Sequence, residues 1–289
     1  MESYMFNVSK AMLVLLTGIM LVANAASGYA ATALESFAGK EGTISIAGGT
    51  AHIPVMKEAA RLIMTKNSAI KITIAGGGSG VGVKQVGEGL VDIGNTGRPL
   101  KSSEIEQYGL RTFPFAIDGV AVAVNPANPV NDLTNEQIKA IYSGGVTNWK
   151  EVGGKDAPIT VYTREDGSGT REVFATVAIK GGDILQTASI MNSNGAMKTA
   201  IAQDPNAVGY VGIGHVDKNV KALSVNGIAA TQENASSGKY PVTRDLFMNV
   251  RQNVTPLTVE FVDFILTSKE GEAIIIKSGY IPILGKTAK

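Results

Sequence analysis

The sequence contains no cysteine and only two histidines, His52 and His215. Disulfides, thiolate nucleophiles and Cys-based metal sites are excluded. A metal centre could only be carboxylate-rich, and no Asp/Glu cluster has suitable spacing. Charge of one sign is also missing: 26 Lys+Arg stand against 25 Asp+Glu, a formal net charge of +1, with no basic run. That argues against a broad nucleic-acid or anionic-membrane surface. No cofactor is expected. Trp149 is the only tryptophan and reads as packing. Long apolar runs are absent except for Ala11–Ala23, short of the ~20 residues a membrane span needs. With Lys10 before it and small residues after, it reads as an export signal over 1–30. Processing would fall at Ala23-Asn24-Ala25 or Gly28-Tyr29-Ala30, placing the mature chain outside the cytoplasm, in a periplasm. The lack of cysteine is compatible with an oxidising compartment.

What remains is 289 residues with 44% apolar content, enough for one large domain or two modest lobes. The first third alternates strand and helix: Thr43–Ala47, Pro54–Asn67, Lys71–Ala75, Gly80–Glu88 and Val91–Asn95. This favours a mainly parallel sheet flanked by helices, with a ligand beyond the carboxyl ends of the strands. Further strands are expected at Val120–Asn125, Ile159–Tyr162, Val208–Val211, Arg244–Val250 and Tyr280–Ile283. Helices are expected at Glu136–Tyr142 behind a Thr134/Gln137 capping box, at Arg171–Ala178 and Ala196–Gln203, and at Pro256–Thr267 and Lys269–Lys277. Gln232–Gly238 reads as a polar loop.

Three stretches place glycines and hydroxyls where a strand gives way to a helix: Gly48-Gly49-Thr50-Ala51, Gly76-Gly77-Gly78-Ser79-Gly80 and Arg164-Glu165-Asp166-Gly167-Ser168-Gly169-Thr170. Free N–H groups at a helix start, with short donor side chains, make an anion cradle. Three of them suggest a cage around one oxyanion. In the third stretch Arg164 supplies a charged fork, and Ser168, the Gly169 backbone and Thr170 supply further donors. Asp166 either orients Arg164 or caps the helix. Arg98, following the Val91–Asn95 strand, is a further candidate ligand, while Arg171 reads as an exposed helix residue. Rival motifs fail. Gly76–Lys84 lacks the Gly-Lys-Ser/Thr of a nucleotide phosphate loop and the G-x-G-x-x-G spacing. Neither Ser79 nor Ser168 sits in G-x-S-x-G, and neither histidine is paired with a nucleophile signal. An enzyme is not expected.

Set in order, these stretches resemble the periplasmic phosphate-binding proteins that serve ABC-type phosphate importers. The resemblance runs from about Thr43 to Ile283. It includes Gly48-Gly49-Thr50, Gly77-Gly78-Ser79-Gly80-Val81-Gly82, Val91-Asp92-Ile93-Gly94, Leu133-Thr134-Asn135-Glu136-Gln137-Ile138, Thr147-Asn148-Trp149, Gly167-Ser168-Gly169-Thr170-Arg171 and Gly279-Tyr280-Ile281-Pro282. It implies a two-lobed α/β periplasmic-binding-protein fold of type II, each lobe a mainly parallel sheet flanked by helices, with the ligand in the interlobe cleft. Lobe one would comprise 42–120 and 246–289, lobe two 121–245. The chain would cross between them near Asp118–Asn125 and Tyr240–Val250.

By the same resemblance Thr50, the Ala51 backbone and Ser79 bind inorganic phosphate from lobe one. Arg164, Ser168, Gly169 and Thr170 bind it from lobe two. A permease in the inner membrane would be the partner of a monomeric binding protein. One position departs: family members carry an aspartate or a serine where this chain has Gly97. Asp118, at the first crossing, is the expected replacement acceptor for the phosphate proton. The Gly97 departure keeps sulfate or molybdate in play as alternative ligands. A secreted phosphomonoesterase, and an extracellular sensor or interaction module, stand as rivals from other classes.

Overall fold

The computed structural model describes residues 33–283. The expected export signal over 1–30 and the end of lobe one, 284–289, lie outside these residues. The chain opens with β1 (Gly42–Gly48), α1 (Ile53–Lys66), β2 (Ile70–Gly77), α2 (Gly78–Gly87), β3 (Ile93–Thr96), α3 (Ser102–Tyr108) and the long β4 (Arg111–Val124). Then come β5 (Asp132–Leu133), α4 (Asn135–Ser143), β6 (Thr160–Arg164), α5 (Gly169–Val173), β7 (Ser189–Met191), α6 (Asn194–Gln203) and β8 (Ala207–Gly212). It closes with β9 (Lys221–Ala222), β10 (Ser224–Val225), α7 (Gln232–Ser236), β11 (Thr243–Val250), α8 (Pro256–Thr267), α9 (Lys269–Lys277) and β12 (Ile281–Pro282).

The main sheet runs in the order β2-β1-β3-β11-β4-β8-β6-β7. Its two ends are parallel, β1 with β2 and β3, and β6 with β7 and β8. The middle is antiparallel, because β4 and β11 run against each other and against their outer neighbours. Strand β4 joins the two ends. Its first part pairs with β11 from Arg111 to Gly119, and its last part pairs with β8 from Val120 to Val124.

The hydrophobic core divides at the same place. One cluster gathers Ile44, Ile46, Val55, Met56, Phe115, Phe261 and Ile265. A second gathers Val122, Val124, Ile141, Tyr142, Phe174 and Tyr210, where Phe174 and Tyr210 stack at 4.0 Å between ring centroids, and a smaller third, with Ala123, Met197, Ile201 and Val211, packs in the same half. Each such fully buried apolar side chain contributes about 1.5–3 kcal/mol, so each half has a core of its own.

Local chemistry sets the elements. In α1 the buried face is Val55, Met56, Ala59, Ala60 and Ile63, with a proline in the first turn; that spacing follows the helical period. Helix α4 carries the expected capping box, Thr134 accepting from the Gln137 backbone and Gln137 from that of Thr134. Glycines turn β2 into α2, with Gly77 at φ 125° and Gly78 at φ 83°, a region that side chains disfavour. Strand β4 starts at Arg111, well before the strand expected over Val120–Asn125, and α7 and α5 differ from the sequence expectation as well. Gln232–Ser236 forms α7, capped by Thr231, because the cap offsets the polar composition. The helix expected over Arg171–Ala178 starts two residues earlier and widens at Phe174 into a π turn. Trp149 is buried, its indole N–H donating to the Asn206 carbonyl at 3.0 Å, which agrees with a packing role.

Candidate ligand-binding site

Three strand-to-helix junctions meet at one small pocket. Its walls are Gly49, Thr50, Ala51 and His52 after β1; Gly78 and Ser79 opening α2; Gly97 after β3; Arg164 ending β6; Ser168, Gly169 and Thr170 opening α5; and Arg244 on β11. The walls touch directly across the middle of the molecule. The Gly80 N–H donates to the Gly167 carbonyl at 3.1 Å, and the Asn194 backbone and side-chain N–H groups donate to Thr50 Oγ1 at 3.2 and 3.0 Å.

The four hydroxyls share a pattern. Thr50 Oγ1 accepts from Asn194, Ser79 Oγ from the Gly97 N–H at 3.0 Å, Ser168 Oγ from the Arg171 N–H at 3.2 Å, and Thr170 Oγ1 from Arg244 Nη1 at 2.9 Å. A hydroxyl held as an acceptor by the protein still carries its one hydrogen, and all four of these residues line the pocket. Ser168 is also the N-cap of α5, so the first N–H groups of that helix lack intrahelical acceptors and face the same end.

Arg164 is 1% exposed. Its Nε donates to Glu165 Oε2 and to the Met191 carbonyl, both at 2.9 Å, and its Nη2 to Glu165 Oε1 at 2.8 Å. The remaining nitrogen, Nη1, is buried and has no hydrogen-bond partner among the described residues. A buried guanidinium N–H left unpaired is costly, so a cation fixed on one edge and bare on the other marks the place of an anion. Arg244 is a second buried cation on the wall, held by Asp118 through Nε and Nη2 at 3.1 and 2.7 Å. The nearby histidines add no charge near neutral pH. Burial, then the charge of Arg244, pulls His52 down to about 3; burial, then Lys198 and the two arginines, pulls His215 down to about 4.

The donor set and the fold together find relatives. A family model described as the PBP superfamily domain matches residues 30–270. The phosphate-binding protein PstS of Bacillus subtilis is 34% identical, over 95% of this chain and 94% of that one. The chain belongs to the phosphate-binding protein family of the PBP superfamily. Among solved structures, a candidate phosphate ABC transporter substrate-binding protein of Clostridium perfringens, with bound phosphate, is 40% identical at a TM-score of 0.79, covering 84% of this chain and 100% of that one. An ABC-type phosphate transport receptor of Vibrio cholerae is 35% identical at a TM-score of 0.65, covering 82% and 99%. The fold is the two-lobed α/β architecture of these phosphate-binding proteins.

The structure brings Thr50, Ala51, Ser79, Arg164, Ser168, Gly169 and Thr170 to the one pocket. Two other expected ligands are not on its walls. Arg98 is buried elsewhere, its fork taken by Glu104 at 2.8 and 2.7 Å and its Nε by Glu172 at 3.0 Å, so its charge is already matched. Asp118 is fully buried behind Arg244 and spends Oδ2 on that guanidinium. Burial pushes its carboxyl up and Arg244 pulls it back down. Asp166 neither orients Arg164 nor caps α5. It is exposed and pairs with Arg171 at 2.8 Å, while Glu165 holds Arg164.

Sequence reading missed Arg244, Asn194 and Glu165. Arg244 is the second residue of β11 and the cross-strand partner of Asp118, a pairing that a charge on each crossing strand could have suggested. Asn194 gives no local signal. It matters only because the start of α6 meets Thr50, 144 residues away in sequence.

Proposed function

We propose that this chain captures inorganic phosphate outside the cytoplasm and hands it to the permease of an ABC importer. The observation that carries this is the bare Nη1 of Arg164 on a pocket wall shared with four hydroxyls that each accept from the protein and keep a hydrogen to donate. Thr50, the Ala51 backbone and Ser79 hold the ion from one side, and Arg164, Ser168, Gly169 and Thr170 from the other. The kinship with PstS proteins supports phosphate as the ion.

Residues 42–120 with 246–289 form one lobe and 121–245 the other. The split of the core along β4, between Ala116 and Val120, supports a division close to that one. The hinge is β4 and β11, and the contacts Gly80–Gly167 and Thr50–Asn194 belong to the closed form. An open protein takes the ion on one lobe, and closure adds the donors of the other. Charge-assisted hydrogen bonds contribute about 1.5–3 kcal/mol each, enough together, after ordering costs, for the roughly 8 kcal/mol of micromolar binding. The protein acts as a single copy and does no covalent chemistry. Among the described residues none of the four hydroxyls is hydrogen-bonded to a histidine or a carboxylate.

Calorimetry of ligand-stripped protein with phosphate, sulfate and molybdate tests this. A single phosphate site of micromolar or tighter affinity is expected. No phosphate binding, or turnover of a phosphomonoester, would contradict it.

A further inference from the structure

Gly97 lines the pocket, and its missing side chain is matched by a particular neighbour. A Cβ at Gly97 would lie 2.7 Å from Arg244 Nη1 and 3.1 Å from its Cζ. The guanidinium therefore occupies the space that any side chain at position 97 would need. It is fixed there from three directions. Asp118 takes Nε and Nη2, Thr170 takes one hydrogen of Nη1, and the β4–β11 register sets Arg244 opposite Asp118. The group has more N–H bonds than those partners use, and it is 7% exposed on a wall of the pocket. Among the described residues no carboxylate lines the pocket: Asp118 is paired with Arg244, and Glu165, beside the wall at Gly78, is paired with Arg164.

We propose that Arg244, seated where Gly97 leaves room, is a second cationic donor to the ligand and makes the site favour the tetrahedral dianion over the monoanion. This rests on the oxyanion-binding reading above. Selection then works by charge and donor count: the monoanion carries two O–H groups and the dianion one, so the dianion offers one more bare oxygen and a second negative charge to the two guanidinium groups. An O–H turned toward Arg244 would set donor against donor, so the dianion's single O–H points away from it. The titration belongs to the ligand and not to the wall. Around Arg244, His52 on the loop before α1 and His215 after β8 stay neutral, held down to about 3 and about 4. Tyr280, after α9, is pushed well above its ordinary range by burial, and Asp118 on β4 is the ion-pair partner. Arg164 is the other cation on the wall.

The test is calorimetry of stripped, mature-length protein with inorganic phosphate and with sulfate between about pH 6 and about pH 8.5. Phosphate affinity should rise about tenfold per pH unit up to the ligand's second ionisation and then level off, tracking the dianion fraction. Sulfate should bind too, with an affinity that does not change over the range. Arg244→Gln should weaken both ligands at least about tenfold and flatten the phosphate slope, because its amide oxygen can accept the ligand's proton. The double variant Asp118→Asn/Arg244→Gln removes the buried charge pair together and should behave likewise, which separates the effect from misfolding. Gly97→Ala should weaken binding in the natural protein and have no added effect beside Arg244→Gln. A phosphate affinity that is flat or falls with pH, absence of sulfate binding, or an unchanged slope in Arg244→Gln overturns the role of Arg244 and leaves the phosphate reading standing. A protein that binds neither ion overturns both.

Discussion

Arg164→Ala is the most informative single substitution. The side chain enters the site as one bare nitrogen, Nη1, with the rest of the guanidinium tied to Glu165 and Met191. Removing it deletes one charge-assisted hydrogen bond to the anion, about 1.5–3 kcal/mol, or about tenfold to about 150-fold in affinity. It also releases Glu165, whose carboxylate stands next to the site with its side chain 27% exposed. An unpaired negative charge there pushes the loss toward the upper end unless it turns to solvent. Two companions separate the causes. Arg164→Lys keeps a charge but cannot span Glu165 and the ligand with one fork, so it should recover only part of the loss. Glu165→Gln keeps Arg164 and loosens its tether, and should cost less than Arg164→Ala. The assay is calorimetry of stripped protein with phosphate, with denaturant midpoints to show that each variant is folded. A loss under about threefold in Arg164→Ala, in a folded protein, would refute the idea that the bare nitrogen meets the ion.

Further outcomes follow from the same contacts. Ser168→Ala removes both a ligand donor and the N-cap of α5, so affinity should drop while stability falls by about 1 kcal/mol, a melting shift of roughly 2–4 °C; an unchanged melting point would count against the cap. Asn194→Ala frees Thr50 from its two donors and should weaken phosphate without altering the opposite wall, as a Thr50→Ala/Asn194→Ala cycle would show by non-additivity. Arg98→Ala should lower stability by breaking the pairs with Glu104 and Glu172 yet leave phosphate affinity within about twofold; a large loss of affinity would restore Arg98 to the site. Acid should destabilise the fold through the histidines. Both have folded values below the ordinary 6.5, about 3 for His52 and about 4 for His215, so their contribution is complete above pH 6.5 and is lost as the pH falls toward the folded values. At pH 5 the loss is about 2 kcal/mol for each, and equal denaturant midpoints at pH 7.5 and pH 5 would contradict it.

Much of this was legible from local pattern. The strand-to-helix junctions at Thr50, Ser79 and Ser168 carry glycine and hydroxyl signals that depend only on neighbouring residues, and the structure sets them around one pocket. Strand alternation and helix spacing likewise located β1, α1, β2 and the paired helices α8 and α9. What escaped was set by distant partners. Arg98 and Asp118 sit near the right strands, but Glu104 and Arg244 claim their charges. Arg244 reaches the pocket only because β11 lies beside β4 with Arg244 opposite Asp118. The antiparallel middle of the sheet has the same origin, since the direction of β11 depends on where the chain returns and not on its own composition.

The most direct measurement is a crystal structure of the protein grown with phosphate. One ion should lie within hydrogen-bond distance of Arg164 Nη1 and of the Thr50, Ser79, Ser168 and Thr170 hydroxyls at once. Density for the ion on one wall alone, or away from Arg164, would contradict the account.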